Sequence, residues 1–301
     1  MNVLSRDKQI EVIAALCEGV GIRTASRLAG VNRGTVANLA LRVGLGCMEL
    51  HDRMFVGVRC ERLELDEIWS YVGKKQKNVK KHEVFAKGDQ YVFIGMAGTQ
   101  KAIISYRIGK RDTETTTNFL ADLRGRVIGQ PEISTDGFHP YRPAIRDTFG
   151  SEASHGVIVK TYSVTHLSKE AATRYSPAAV VAVSREVASG DPDQYVSTSY
   201  VERQNLSLRM SQRRFTRLTN GFSKQLENHV AAVALYVAHY NLVRKHEALR
   251  TTPAKAIGVA DRAWSVAELV DAALTVAPAL PNETPPDRRR KFVVIQGGLE
   301  D

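Results

Sequence analysis

Apolar and polar residues alternate along residues 61–72, and this pattern predicts a β-strand. Leu63 and Leu65 fall on one face of the strand, while Glu64 and Asp66 fall on the other, because successive side chains of a strand point to opposite faces. Bulky aromatic and branched residues, which favour strands, complete the stretch. An acidic side chain therefore lies near the end of a strand whose other face we expect to be buried.

The same kind of pattern recurs downstream and predicts a mixed α/β fold. Four further apolar runs are typical of strands, and two stretches with helical spacing lie among them. The predicted strands cover residues 90–97, 102–108, 131–136 and 155–162, and the predicted helices cover residues 115–124 and 140–149. Three strands in succession, followed by helix, strand, helix and strand, is the order of elements in the ribonuclease H-like α/β fold. We therefore predict a mixed five-stranded sheet with flanking helices.

Residues 6–43 carry helical rather than strand periodicity. A first helix is predicted over residues 6–19, and two shorter helices over residues 24–31 and 32–43 are joined by a turn around Gly30. This is the arrangement of an all-α helix-turn-helix domain, although any small three-helix bundle can contain such a turn. In a helix-turn-helix, side chains at the start of the last helix reach base edges and phosphates in a major groove. The candidates here are Arg33, Thr35 and Asn38.

Changes in composition suggest where the domains begin and end. Glycines punctuate residues 44–57, so we predict a connection and a domain boundary there. The predicted division is a helix-turn-helix domain over residues 1–57, a ribonuclease H-like domain over residues 58–257, a short helical extension over residues 258–280 and a tail over residues 281–301 whose composition predicts disorder. Apart from a β-like run over residues 178–183, residues 163–197 match no pattern, and we interpret them as an insertion or an irregular link.

The balance of charge limits the classes of partner. The 301-residue chain carries a formal net charge of +10 and has a pI near 9.6. This excess favours nucleic acid or an anionic membrane surface as a partner, although solubility alone would also explain it. Three cysteines, Cys17, Cys47 and Cys60, are too few and too scattered for a disulfide framework or a zinc site of paired cysteines. No apolar run is long enough to span a membrane and no signal-peptide core is present, so we predict a soluble cytoplasmic protein.

Three acidic residues occupy comparable positions at the ends of predicted elements. Asp66 closes the first strand, Asp136 closes the fourth, and Glu202 begins a long basic helix predicted over residues 201–218. In an open α/β sheet the ends of strands can lie side by side. Carboxylate oxygens suit Mg²⁺ or Mn²⁺, and two such ions about 3.5–4 Å apart act on phosphodiesters in known two-metal sites. We therefore predict that these three residues bind two divalent cations and act in catalysis.

Each of these acids also has a simpler interpretation. Glu67 follows Asp66 directly and is an alternative ligand, although strand alternation points the two side chains to opposite faces. Asp136 precedes a glycine, as turn aspartates often do. Glu202 lies three residues after Ser199, which is the spacing of a capping box at a helix N-terminus.

Basic residues cluster beside two of the three acids. A lysine-rich segment follows the first strand, and arginines follow Glu202 along its helix. A solvated helix face would have the same composition. However, an acid that binds a metal ion for catalysis needs a substrate phosphate nearby, so we interpret these residues as phosphate contacts. The candidates are Lys74, Lys75, Arg203, Arg209, Arg213 and Arg214.

The segments around the three acids resemble the DDE transposases of bacterial insertion sequences, most closely the insertion sequence one group. The matching segments are Leu65-Asp-Glu-Ile-Trp-Ser-Tyr-Val-Gly-Lys-Lys75, Ser134-Thr-Asp-Gly-Phe-His-Pro-Tyr141, Val201-Glu-Arg-Gln-Asn-Leu-Ser-Leu-Arg209, Arg217-Leu-Thr-Asn-Gly-Phe-Ser-Lys224 and His239-Tyr-Asn-Leu-Val-Arg-Lys-His246. The resemblance spans about residues 59–257 and implies that Asp66, Asp136 and Glu202 form the metal-binding catalytic triad.

The resemblance also implies a reaction and an assembly. It implies binding to terminal inverted repeats and target DNA, cleavage and joining of DNA strands without a covalent enzyme–DNA intermediate, and a homo-oligomer in a synaptic complex. Members of the group often carry a cysteine-based zinc element before the helix-turn-helix, and the cysteines of this chain cannot form one. That difference leaves the helix-turn-helix as the main candidate for recognition of the DNA ends.

Two other functions are compatible with the same residues. A catalytically silent DNA-binding regulator would keep the fold without the chemistry, and the three intact acids argue against it. A nuclease or junction resolvase of the same fold would hydrolyse DNA without joining strands. A metal-dependent nicking assay tests the first alternative, and a strand-transfer assay with pre-cut ends tests the second.

Overall fold

A six-stranded mixed sheet forms the centre of the computed structural model, which describes residues 4–162, 180–192, 196–216 and 220–278. The strands are β1 (Val58–Arg59), β2 (Arg62–Val72), β3 (Gly88–Ala97), β4 (Ala102–Gly109), β5 (Val127–Ile128), β6 (Glu132–Asp136), β7 (Ser154–Tyr162) and β8 (Val180–Ser189). The helices are α1 (Arg6–Cys17), α2 (Ile22–Ala29), α3 (Arg33–Met54), α4 (Thr113–Arg126), α5 (Tyr141–Phe149), α6 (Ser199–Ser211), α7 (Leu226–Ala238), α8 (Pro253–Ala256) and α9 (Val266–Val276). The strand order in the sheet is β4-β3-β2-β6-β7-β8, and β1 and β5 form a separate parallel pair.

The strand directions agree with the predicted mixed sheet. Strand β3 runs antiparallel to both β2 and β4, whereas β6 lies parallel to both β2 and β7. Helix α4 follows β4, and helix α5 connects β6 to β7. The prediction of a mixed α/β fold with flanking helices is therefore confirmed.

A sixth strand, β8, extends the sheet beyond the five that were predicted. It pairs antiparallel with β7, and Val180, Val183 and Val187 on it are 47%, 58% and 63% exposed. The side chains of residues 180 and 182–187, which belong to both faces of β8, are exposed. Its sequence therefore does not alternate and gives only a weak strand signal. The expectation of an irregular link is therefore wrong for this part of the region. The rest of that region over residues 163–179 and 193–195, and the predicted tail over residues 281–301, lie outside the described residues.

Apolar side chains pack against both faces of the sheet and so create three layers. Leu63 and Leu65 of β2 belong to a core shared with α3, α4, α5 and α9. Ile68 lies on the opposite face of β2 and belongs to a second core shared with α6 and α7. All three side chains are fully buried. Alternation along β2 therefore supplies apolar contacts to both helical layers.

The helices α2 and α3 are joined by the tight turn that the sequence predicts. Gly30 ends α2 with a φ of 65°, the left-handed conformation that favours glycine. Asn32 caps α3 by accepting a hydrogen bond from Gly34 N at 2.8 Å. The buried residues at the start of α3 are Val36, Leu39 and Val43, and the exposed ones include Arg33, Thr35 and Asn38. This orientation agrees with the predicted one, and DNA binding by these residues stays a prediction.

Helix α3 is longer than predicted, because residues 44–54 continue the helix instead of forming a connection. Two glycines lie where other helices pack most closely against α3. A Cβ atom on Gly44 would lie 2.2 Å from Ala231 O in α7, and one on Gly46 would lie 2.0 Å from Ala273 O in α9. These glycines therefore allow close contact between helices, and their interpretation as punctuation of a loop is wrong. The division of the chain at residue 57 itself stays a prediction.

The close contact at Gly46 predicts a large loss of stability in Gly46→Ala. The new methyl group would displace the backbone of α9, so we expect the free energy of unfolding to fall by about 2 kcal/mol or more. Gly125→Ala is the matched control, because Gly125 is an exposed residue of α4 where an added methyl group would meet no atom within 4 Å. Alanine there should raise stability by about 0.5–1 kcal/mol. Urea unfolding of both variants measures the difference, and equal stabilities would show that α9 does not pack on α3 in this way.

Candidate metal centre

Three carboxylates meet where β2 and β6 lie side by side. Ligand oxygens of Asp66, Glu67 and Asp136 all lie within 4.8 Å of one another. Asp136 ends β6 as predicted, but Asp66 lies within β2, which continues to Val72, so the prediction that Asp66 closes its strand is wrong. The parallel register pairs Glu64 with Ser134, and Asp66 and Asp136 each lie two residues beyond this level pair. Level residues on parallel strands point to the same face of the sheet. The structure therefore brings together two of the three acids that the sequence predicts as ligands.

The Glu67 carboxylate belongs to this cluster, although the Cα–Cβ bond of Glu67 points to the other face of β2 from that of Asp66. The Glu67 carboxylate accepts hydrogen bonds from Arg111 Nε at 2.5 Å and from Tyr141 Oη at 3.1 Å. Its side chain is only 3% exposed. The expectation that strand alternation separates Glu67 from Asp66 is thus wrong for the carboxylate oxygens, since the longer glutamate side chain reaches the same place.

Hydrogen bonds fix both aspartates of the cluster. Asp66 Oδ1 accepts from Glu67 N at 2.9 Å, and Asp66 Oδ2 accepts from Asn205 Nδ2 at 2.8 Å. Asp136 Oδ1 accepts from Phe138 N at 2.9 Å, which is the local turn contact that the simpler interpretation of Asp136 requires. A turn aspartate and a metal ligand are therefore compatible roles for the same residue.

Burial and mutual repulsion disfavour negative charge in the cluster. Burial raises the pKa of Asp66 to about 7, with further contributions from the nearby charges of Glu67 and Asp136. Burial also raises the pKa of Glu67, again with help from Asp136, while Arg111 opposes the rise. Carboxyl groups forced together in this way are stabilised in their charged form by a bound cation.

Asn205 of α6 contributes a further oxygen that sequence analysis did not identify. The residue is 5% exposed, and its Oδ1 atom is buried with no hydrogen-bond partner among the described residues. Its Nδ2 group is committed to Asp66, which places the amide directly beside the acidic cluster. A buried acceptor without a donor is unfavourable by about 1–3 kcal/mol. The spacing of one helical turn after Glu202 is the signal that could have identified it.

Glu64 fastens the start of α6 to β2, two residues before Asp66. The Glu64 Oε2 atom accepts hydrogen bonds from Tyr200 N at 2.8 Å and from Val201 N at 3.0 Å. A carboxylate at this position satisfies backbone N–H groups that have no partner within the helix and interacts favourably with the helix dipole. Burial raises the pKa of Glu64, and the two N–H groups oppose the rise. Both acids on this face of β2 therefore contact α6.

Glu202, the third predicted ligand, lies outside the cluster. Its carboxylate contacts Lys160 of β7 and accepts a hydrogen bond from Thr198 Oγ1 at 2.8 Å. Ser199 is already the first residue of α6, and Thr198 precedes it, so the proposed capping box between Ser199 and Glu202 is wrong. Glu202 precedes Asn205 by three residues, which places both on one face of the helix.

The predicted phosphate contacts differ in how accessible they are. Lys75, Arg203 and Arg213 are exposed, and Arg209 is half-buried. Lys74 forms an ion pair with Glu83 at 2.6 Å. Arg214 points into the protein, where Nη1 donates to Ser223 Oγ at 2.8 Å and Asn228 O at 2.9 Å, and burial lowers its pKa to about 10. Arg214 therefore supports the fold and points away from any DNA phosphate at the surface, unlike the predicted contact.

Comparisons with known proteins add a distant structural likeness. No protein-family model matches the chain, and no curated protein matches it. Among solved structures, the chain is similar to one in the cryo-EM structure of the piggyBac transposase synaptic complex with hairpin DNA. The two chains are 10% identical with a TM-score of 0.36, over 92% of this chain and 73% of the other. A likeness this distant leaves function to be argued from the site itself. None of the described helices is both long and apolar enough to span a membrane.

The raised pKa of Asp66 predicts a pH-dependent gain of stability in Asp66→Asn without metal. The folded protein keeps this proton up to a pH of about 7, whereas the unfolded chain releases it near pH ~4. The wild type therefore loses stability as the pH rises from about 4 to about 7, and asparagine escapes this loss. Asn205 can rotate its amide so that Oδ1 accepts a hydrogen bond from the new side chain.

We expect Asp66→Asn in EDTA to be more stable than wild type at pH 8 by on the order of 2 kcal/mol, or a few degrees in Tm. The gain should shrink as the pH falls to 4.5. Thermal unfolding followed by circular dichroism measures it, and the exposed Asp261→Asn serves as the control. A gain that is the same at both pH values would mean that Asp66 titrates normally.

Proposed function

We propose that this chain is a DDE-type transposase, which binds the ends of a bacterial insertion sequence and catalyses metal-dependent cleavage and transfer of DNA strands. The observation that carries the proposal is the meeting of Asp66, within β2, with Asp136 at the end of the adjacent parallel strand β6, together with Glu67. The segments that resemble these transposases surround the same residues. The proposal includes a ribonuclease H-like class for the sheet and a DNA-binding role for the helix-turn-helix.

The residues of the cluster fit a divalent cation. Three carboxylates in close contact provide hard oxygen ligands and an excess of negative charge. Asn205 Oδ1, to which no described group donates, is a further buried oxygen beside them, and it can accept a hydrogen bond from water on a bound ion. Mg²⁺ or Mn²⁺, in a pair, would supply activation of the attacking oxygen and stabilisation of the leaving oxygen in phosphodiester chemistry.

The residues around the proposed ion would have different roles, as ligands or as groups that orient a ligand. Asp66 and Asp136 would hold it from the sheet, and Asn205 orients Asp66 through the Nδ2 hydrogen bond, as partners of metal ligands commonly do. Glu202 is the third ligand of the proposed triad. Since its carboxylate now contacts Lys160 and Thr198, it would have to turn toward the cluster to complete the triad.

DNA is the partner that the charge of the molecule favours. The net charge of +10 attracts a polyanion, and exposed basic side chains lie on α6 and just beyond it. The proposed contacts are Arg33, Thr35 and Asn38 for the DNA ends, and Lys74, Lys75, Arg203, Arg209 and Arg213 for phosphates. We further propose that the chain acts as a homo-oligomer in a synaptic complex in the bacterial cytoplasm.

Asp136→Asn and Glu202→Gln should each abolish strand cleavage and joining while DNA binding remains. Both changes remove a charge and nearly preserve volume, so the loss should fall on chemistry. The measurements are Mn²⁺ affinity by calorimetry and cleavage and transfer of labelled DNA. Glu114→Gln is the matched control, since Glu114 is an exposed acid on α4 and should behave as wild type.

A comparison with Glu67→Gln decides which glutamate completes the triad. If Glu202→Gln keeps activity and Glu67→Gln loses it, Glu67 is the third ligand and the triad is misassigned. Activity in Asp136→Asn would contradict the proposed metal centre altogether. Cleavage without joining, in the wild type with pre-cut ends, would favour a nuclease or resolvase, and metal binding without either reaction would favour a silent regulator.

A further inference from the structure

The connection between β2 and β3, residues 73–87, is a strongly basic surface element that we call the flap. It contains six lysines and a single acid, Glu83. The lysines are Lys74, Lys75, Lys77, Lys80, Lys81 and Lys87. Two short 3₁₀ turns, Gln76–Asn78 and Lys81–Glu83, give it a defined backbone. The flap therefore combines a high charge density with a definite shape.

Glu83 neutralises only part of that charge. Its carboxylate pairs with Lys74 and Lys87, both at 2.6 Å. These hydrogen bonds lower the pKa of Glu83 to about 2, so the acid is ionised and fully used within the flap. Four exposed lysines have no ion-pair partner among the described residues, and these are Lys75, Lys77, Lys80 and Lys81. They leave an open cationic surface that fits a polyanion.

One apolar side chain projects from this cationic surface. Phe85 is 83% exposed, more than any other large apolar residue among those described. Its backbone is nevertheless held in place, because Gln90 Nε2 donates a hydrogen bond to Phe85 O at 3.0 Å. Neighbouring contacts fix both ends of the segment: Gln76 Oε1 accepts from Asp89 N at 2.9 Å, and Lys110 Nζ donates to Lys87 O at 2.9 Å. The ring is thus presented to solvent by a backbone that is tied down.

The flap and the candidate metal centre lie on the same strand, at a separation that one DNA duplex can span. Strand β2 continues for six residues from Asp66 to Val72, where the flap begins. At about 3.3 Å per residue this is about 20 Å, which corresponds to about six base pairs of B-DNA at about 3.4 Å each. A duplex with one phosphate at the acidic cluster could therefore lie over the flap about six base pairs away.

We propose that the flap binds DNA and that Phe85 stacks on an exposed or unpaired base, while the four exposed lysines contact the backbone phosphates. Aromatic rings stack on bases of any sequence, and apolar wedges enter base steps where DNA is distorted. The surrounding cations favour nucleic acid over an apolar protein partner for this ring. The proposal rests on the proposed function only in its choice of DNA as the partner.

The test uses the full chain with Asp66→Asn, in EDTA, so that DNA cannot be cut. The probes are two labelled duplexes of about 30 base pairs, one fully paired and one with a single unpaired 2-aminopurine. We expect tighter binding of the second duplex and quenching of its fluorescence. In Phe85→Ala, the ratio of the affinities for the unpaired and the fully paired duplex should fall by about tenfold. The reason is that base–aromatic stacking contributes about 1–3 kcal/mol per base. Phe85→Trp should keep it.

Two further variants distinguish the contribution of base stacking to DNA binding from those of charge and of exposed apolar surface. Replacing Lys75, Lys77, Lys80 and Lys81 by glutamine should weaken both duplexes equally and reduce the salt dependence of binding. The log–log slope should fall by up to about 0.9 for each phosphate that the protein no longer neutralises. Val56→Ala removes another exposed apolar side chain, 55% exposed and outside the flap, and should change nothing.

Persistence of the preference and the quenching in Phe85→Ala would overturn the proposal and leave the ring to a protein partner. Equal weakening of both duplexes by Phe85→Ala would overturn the stacking role. Because these measurements need no metal and no catalysis, they are independent of whether the proposed transposase reaction occurs.

Discussion

The parallel pairing of β2 with β6 is the constraint on which the candidate site depends. Its register pairs Glu64 with Ser134, two residues before Asp66 and Asp136, so two carboxylates from distant parts of the chain meet beside the end of β6. Apolar residues on both faces of β2 hold this register, because a shift by one residue would turn Leu63, Leu65 and Ile68 toward the wrong layers. The same pattern that builds the core therefore also positions the acids.

A second constraint is the attachment of α6 to the same strand. Glu64 binds the first backbone N–H groups of α6, and Asn205 binds Asp66 a little further along. Two successive polar residues on one face of β2 thus hold the helix at two points. Because the first point uses the backbone of α6, its geometry does not depend on the side chains at Tyr200 and Val201. The helix that carries Glu202 and Asn205 is therefore fixed relative to the cluster before any metal binds.

The sequence predicts the parts of this arrangement that leave a periodic signal. Five strands of the sheet, the tight turn at Gly30 and the meeting of Asp66 with Asp136 follow from alternation and from the order of elements. Contacts between distant residues leave no such signal. Gly44 and Gly46 resemble loop glycines until α7 and α9 are seen against them. The sequence pattern also does not show where the end of a long side chain lies. Alternation predicts the direction of the Cβ atom of Glu67, but its carboxylate lies beside Asp66 and Asp136.

The overall charge and the charge of the site act in opposite directions, and a cation reconciles them. A net charge of +10 favours a polyanionic partner, yet the acidic cluster between β2 and the end of β6 would repel any phosphate that approached it. Among the described ion pairs, only Arg111 pairs with the cluster, through Glu67, and its charge also acts on Asp136. The carboxyl group of Asp66 therefore has no ion-pair partner in the described part of the protein. Burial raises the energy of its negative charge. Under the proposed function, a divalent ion would relieve the repulsion among the acids and present positive charge to the phosphate. The acidic cluster and the basic surface would then form parts of one site.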